Sequence, residues 1–169
     1  SINTPINNSN LGLGVSFVND KIGPTNENTI SADLSYTIPT SENFKLSFGM
    51  KATANLFNLN VDKLNPADQG DPQFQNLRNV FTPNVGAGIY YHSDKAYLGL
   101  SVPNFIQTNR YNDNQVAIFK EKINYYLIGG YVFDLSYDIK FKPAFLTKLV
   151  EGSPLQVDVS ANFMFIEKV

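Results

Sequence analysis

Along most of this chain, hydrophobic residues recur at every second position. The clearest run is Phe44 to Phe57, where Phe44, Leu46, Phe48, Met50, Ala52, Ala54 and Leu56 alternate with Lys45, Ser47, Gly49, Lys51, Thr53 and Asn55. Successive side chains of a β-strand point to opposite faces, so this segment has one apolar face and one polar or small face. Thirteen residues at about 3.3 Å each span roughly 43 Å, long for a soluble strand and suited to a tilted membrane strand. Leu11–Phe17, Ile30–Ile38, Val85–Tyr91, Ala96–Val102, Ile139–Leu149 and Leu155–Phe165 repeat the alternation. Ile123–Phe133 is apolar on both faces, which leaves its orientation open. Helical spacing is nearly absent. The pattern predicts an all-β chain of about eight antiparallel strands.

The connections between these segments alternate in length. Pro39–Asn43, His92–Lys95 and Leu135–Asp138 are short, whereas about 59–82 and about 106–120 are long. A roughly nine-residue turn is expected around Asp20-Lys21-Ile22-Gly23-Pro24-Thr25. Outer-membrane barrels pair tight turns at one end with long loops at the other, and a soluble sandwich has no reason to sort its loops this way. The bulky face then meets lipid, and Gly, Ser, Asn and Lys line a wet lumen. Pro143 removes a ladder donor within a strand and predicts a bulge or a local edge there.

Composition narrows the chemistry. Charged residues make up 17% of the 169, below the roughly 25% of soluble domains, beside 21 Asn and 22 Phe plus Tyr. The net charge of −2 argues against a nucleic-acid partner. There is no Cys, so disulfides and thiolate metal sites are excluded. His92 is the only histidine, beside Ser93 and Asp94 at a short turn, and reads as a turn residue rather than half of a catalytic dyad. No metal, cofactor or catalytic site is expected. The loop at 59–82 carries Asp62, Asp68 and Asp71, a spacing that fits no EF-hand. Its Phe74, Leu77, Val80 and Phe81 are candidates for contact with a partner.

The polar faces carry the remaining candidates. Lys45 and Lys51 share one strand face, and Lys140, Lys142 and Lys148 share another. With a tight turn pairing Ile38 and Phe44, Asp33 lies diagonal to Lys51, so an Asp33–Lys51 pair is expected, and Lys148 could similarly meet Asp158. Structural ion pairing is the first reading, and a basic lumen attracting an acidic peptide the second.

The order of motifs closely resembles the PorP/SprF family of type IX secretion barrels in Bacteroidota. The resemblance rests on Leu11-Gly12-Leu13-Gly14-Val15-Ser16-Phe17-Val18-Asn19-Asp20-Lys21-Ile22-Gly23-Pro24-Thr25, on Lys45–Lys51, on Pro83-Asn84-Val85-Gly86-Ala87-Gly88-Ile89-Tyr90-Tyr91 and on Tyr97–Asn104. Gly130–Phe133, Lys142-Pro143 and Gly152–Asp158 to Asn162-Phe163 complete it. It implies a non-enzymatic outer-membrane barrel that supports secretion and surface attachment of cargo such as gliding adhesins. The implied partners are a cargo C-terminal domain, periplasmic ring components and outer-membrane lipid. A porin-like channel for small solutes is the alternative. Family members are longer, and eight strands would leave two unpaired edges in lipid, so residues 1–169 are expected to form part of a barrel of roughly 12–16 strands.

Overall fold

The alternating segments become long antiparallel strands, because period two keeps each apolar set on one face for the whole length of a ladder. The computed structural model describes residues 1–7, 9–60, 77–107, 109–111, 117–120 and 122–165. In chain order the strands are β1 (Ile2–Pro5), β2 (Leu11–Ile22), β3 (Thr25–Pro39), β4 (Lys45–Leu59), β5 (Leu77–His92) and β6 (Ala96–Val102). They continue with β7 (Asn109–Tyr111), β8 (Ala117–Lys120), β9 (Asn124–Tyr131), β10 (Phe133–Asp134), β11 (Ile139–Val150) and β12 (Gln156–Phe165). Ten of them form one sheet, in the order β1-β2-β3-β4-β5-β6-β9-β11, with β10 and β12 each pairing β11. β7 and β8 form a separate hairpin. The sheet is not closed, since β1 pairs only β2 and β12 only β11 among the described residues.

All eight expected strands are present, and β1, β10 and the β7–β8 hairpin are additional. Two expected connections are shorter than the pattern suggested. β2 and β3 meet at a two-residue turn, Gly23-Pro24, not at a nine-residue one. Gly23 has φ +56, and a positive-φ residue followed by Pro has the form of a type II′ hairpin turn. The long loop begins after Leu59 but ends before Leu77, where β5 starts. Polar residues on both faces, such as Asn19, Asp20, Asn26 and Asn28, hide the ends of β2 and β3 from a period-two reading, and at the start of β5 a register shift opposite Phe57–Leu59 breaks the alternation.

Register assigns every side chain a face. Ile38↔Leu46↔Tyr91, Leu34↔Met50↔Ala87 and Phe17↔Ile30↔Ala54 are rows of the apolar face. Gly14↔Asp33↔Lys51↔Gly86 and Ser16↔Ser31↔Thr53↔Asn84 are rows of the polar face. β9 resolves the ambiguous segment: Tyr125, Leu127 and Tyr131 join the apolar face, while Tyr126 and Ile128 lie on the other.

The polar face is the concave one. Its Ser31, Thr82 and Asn84 are 4%, 3% and 6% exposed, whereas Met50 is 66% exposed and Val159 78%. No large side chain is fully buried among the described residues. This arrangement is inverted relative to a soluble domain. The apolar face is also bounded at both ends. Near the short turns it carries a chain of aromatic contacts, with Tyr131–Phe133 at 4.6 Å, Phe133–Phe141 at 6.3 Å and Phe141–Phe163 at 4.7 Å between centroids. Toward the opposite end the outward residues change to Asn19 on β2, Asn28 and Asn26 on β3 and Asn58 on β4. Asn19 Nδ2 donates to Oδ1 of both Asn26 (3.0 Å) and Asn28 (2.7 Å). On β5 the outward run stops at Phe81, beside a bulge where Asn79 donates its N–H to Asn58 Oδ1 at 2.8 Å. The outward run of β4, from Leu46 to Leu56, is about 33 Å long, and a tilt near 40° projects it to about 25 Å, the height of a barrel's lipid belt.

Pro143 sits at a local edge rather than at a bulge, the second of the two expected settings. The β9–β11 ladder stops at Gly130↔Ala144 and resumes as β10 at Phe133↔Phe141 in the same register. The β11–β12 ladder runs through Pro143↔Ala161 without a gap. The missing donor therefore costs only the β9 side, where Val132 donates its N–H to Lys95 O at 2.7 Å on the other flank.

The belt predicts a depth-dependent cost. Met50→Arg, near mid-belt, should destabilise the full-length protein in lipid vesicles by about 2–4 kcal/mol, and Asn26→Arg, beyond the belt, by no more than about 1. Urea unfolding of vesicle-inserted protein measures both, and equal costs would contradict the belt assignment.

Candidate functional site

Residue size shapes the concave surface. Gly12, Gly49, Gly88 and Ser101 form the floor of a cavity of about 760 Å³, whose wall also includes Asp33 and Lys51. Small residues on adjacent strands leave space that side chains would otherwise fill. Asp33 and Lys51 are directly opposed, and Lys51 Nζ lies 3.7 Å from Asp33 Oδ1. The expected pair is present, though the β3–β4 register is two residues from the one anticipated. In the next row toward the long-loop end, Ser31 Oγ and Thr53 Oγ1 are 3.3 Å apart.

The other lysines separate into two settings. Lys140 meets Asp134 at 3.6 Å, and Lys95, from the β5–β6 turn, donates to the other oxygen of Asp134 at 2.5 Å. That hydrogen bond, helped by the nearby carboxylate charge, raises the Lys95 pKa above its ordinary value. Lys142 and Lys148 lie instead over tyrosine rings, Lys142 Nζ 5.2 Å from the centroid of Tyr97 and Lys148 Nζ 5.9 Å from that of Tyr126. The expected Lys148–Asp158 pair does not form. Lys148 is opposite Gln156, Asp158 is opposite Leu146, and Asp158 Oδ2 accepts from Gln156 Nε2 at 3.2 Å. Lys45 ends its strand between Pro39 and His92.

The other candidates are dispersed. His92 stacks on Tyr90 with centroids 5.0 Å apart, and Ser93 Oγ accepts from the N–H groups of Lys95 and Ala96 to hold the turn. Val80 and Phe81 stand on β5, opposite Phe57 and Leu56, and Phe81 faces outward within the apolar belt. Leu77 opens β5 opposite Leu59. Phe74 and the three aspartates of that loop lie outside the described residues. Sequence reasoning passed over Lys95 and Asp134, which lie 39 positions apart and meet only through the sheet. It also passed over Asn84, whose place between Thr82 and Gly86 on the polar face was the available signal.

A sheet with an apolar convex face, a polar concave face, an aromatic rim and polar caps defines the class: the wall of a transmembrane β-barrel. The particular family follows from comparison, because the family model described as type IX secretion system membrane protein PorP/SprF matches residues 1–169. The chain belongs to that family. Searches of curated proteins and of solved structures returned no match.

Both side chains of the Asp33–Lys51 pair are near 40% exposed, so its strength is that of a solvated bridge. A double-mutant cycle with Asp33→Asn and Lys51→Met should give a coupling of about 0.2–1 kcal/mol. A larger value in chemical denaturation would mean that the pair is the organising contact of the wall.

Proposed function

We propose that this chain is part of an outer-membrane barrel that acts without catalysis in type IX secretion, supporting export and surface attachment of cargo such as gliding adhesins. The observation that carries the proposal is the family match across residues 1–169, and the outward apolar belt agrees with it. In this reading the cargo's C-terminal domain is bound by the barrel's loops or concave face, and the short turns meet the periplasmic ring. Lys142 and Lys148 are the lysines best placed to meet an acidic segment, because among the described residues each faces a tyrosine ring rather than a carboxylate. Lys140 is engaged with Asp134 and serves the wall.

A porin-like channel is the second reading, supported by the polar concave face alone. The two readings differ in an observable. Co-purification of the full-length protein with a cargo C-terminal domain is expected, and deletion should abolish surface display of that cargo. Normal display after deletion, together with no captured cargo, would refute the secretion role. Lys142→Glu with Lys148→Glu should reduce cargo capture while leaving barrel assembly intact. Unchanged capture would restrict these lysines to the wall.

A further inference from the structure

Beyond Val102 the chain leaves the plane of the sheet. Asn84 is on the concave face, 6% exposed, and spends both ends of its amide on one residue. Its Nδ2 donates to Ile106 O at 2.9 Å, and its Oδ1 accepts from Ile106 N at 3.1 Å and from Val85 N at 2.9 Å. A side chain that points into the concavity is thus paired with a main chain, as a neighbouring strand would be. The main chain of Ile106 is therefore held on the inner side of β5, within reach of an inward-pointing side chain.

Two further contacts hold the same segment. Phe105 N donates to Val85 O at 2.8 Å. The space that a side chain of Gly86 would occupy is taken by the carbonyl of Pro103, so near that a Cβ there would overlap it. Gly86 is in the inward row with Asp33 and Lys51, and Asn84 is in the next row toward the long-loop end. The three inward polar residues with the lowest exposure, Ser31, Thr82 and Asn84, occupy that row and the one beyond it. The cavity lies on the short-turn side of this level, with Pro103 in its lining.

We propose that Pro103–Ile106 forms a fixed constriction inside the barrel, clamped by Asn84 and admitted by Gly86, which narrows the path for solutes past the Asp33–Lys51 level. The lumen is then a cavity backed by an inward-folded segment, not an open pore. Asn84 acts as a positioning residue. The inference rests on the barrel assignment and not on any cargo.

Planar-bilayer recording of the full-length protein tests it. Asn84→Ala removes the clamp, and Gly86→Ala displaces the Pro103 carbonyl. Each should raise single-channel conductance roughly twofold or more over wild type, because conductance follows the radius at the narrowest point. Heat-modifiable gel mobility reports separately whether each barrel has folded. Folded variants with wild-type conductance would overturn the proposal. If neither variant folds, a reporter that leaves the clamp intact decides it. Residues 1–169 contain no Cys, and Ser35 lies in the floor row between Gly12 and Gly49, so spin labels on Ser35→Cys and Phe105→Cys report the distance from the cavity floor to the segment. A short, narrow distribution is expected, and a long or broad one places the segment outside the barrel and refutes the constriction.

Discussion

The constraint on which this molecule depends is that a strand crossing hydrocarbon must satisfy its N–H and C=O groups sideways, in its neighbours. Water cannot relieve a mismatch there, so the ladders must stay in register over their whole length. β3 and β4 do so for fifteen consecutive pairs, from Thr25↔Leu59 to Pro39↔Lys45. Once register is fixed, the direction of each side chain follows, and with it the division into a lipid face and an inner face. A slip of β4 by one residue would turn Lys51 toward lipid and Met50 inward, an exchange unfavourable on both sides.

That dependence explains where the fold departs from regularity. Pro143 is placed so that its missing donor falls on one ladder only, and the neighbouring Val132 satisfies its own N–H on the other flank. On the outer face Gly129 leaves a gap that the ring of Phe145 covers, while on the inner face Gly86 leaves one that the Pro103 carbonyl enters. The same residue type thus serves packing against lipid in one place and a close approach of main chain in the other. Neither glycine has a positive φ; their value is the absence of a side chain.

What was legible in the sequence was whatever period two carries: the eight main strands, their antiparallel order, and the separation of Met50 from Lys51. The Asp33–Lys51 pair was legible for a related reason, since both residues lie on the inward set and any even slip of the hairpin keeps them there. The strand ends at Asn19–Ile22 and Asn26–Asn28 were not, because beyond the belt both faces are polar and alternation disappears while hydrogen bonding continues. Lys95 and Asp134 were not legible either. Their contact depends on β6 pairing with β9, a juxtaposition across a long connection that local pattern does not encode. Lys148 and Asp158 show the converse error, where inward placement was right and opposition was assumed.

The inner face differs from the outer in what can be inferred from it. Outward residues need only be apolar and of tolerable size, so many sequences would serve, and their pattern identifies a membrane strand without identifying its task. An inward polar residue gains by finding a partner, because burial without one costs it its hydrogen bonds with water, as it does among the described residues at Thr82 Oγ1 and Asn55 Oδ1. Asn84 finds its partner in a segment that has left the sheet, and Lys142 and Lys148 find theirs in aromatic faces rather than carboxylates. Residues of this kind distinguish one barrel from another of similar wall, and the specific role of this chain is to be sought in them before the belt or the loops.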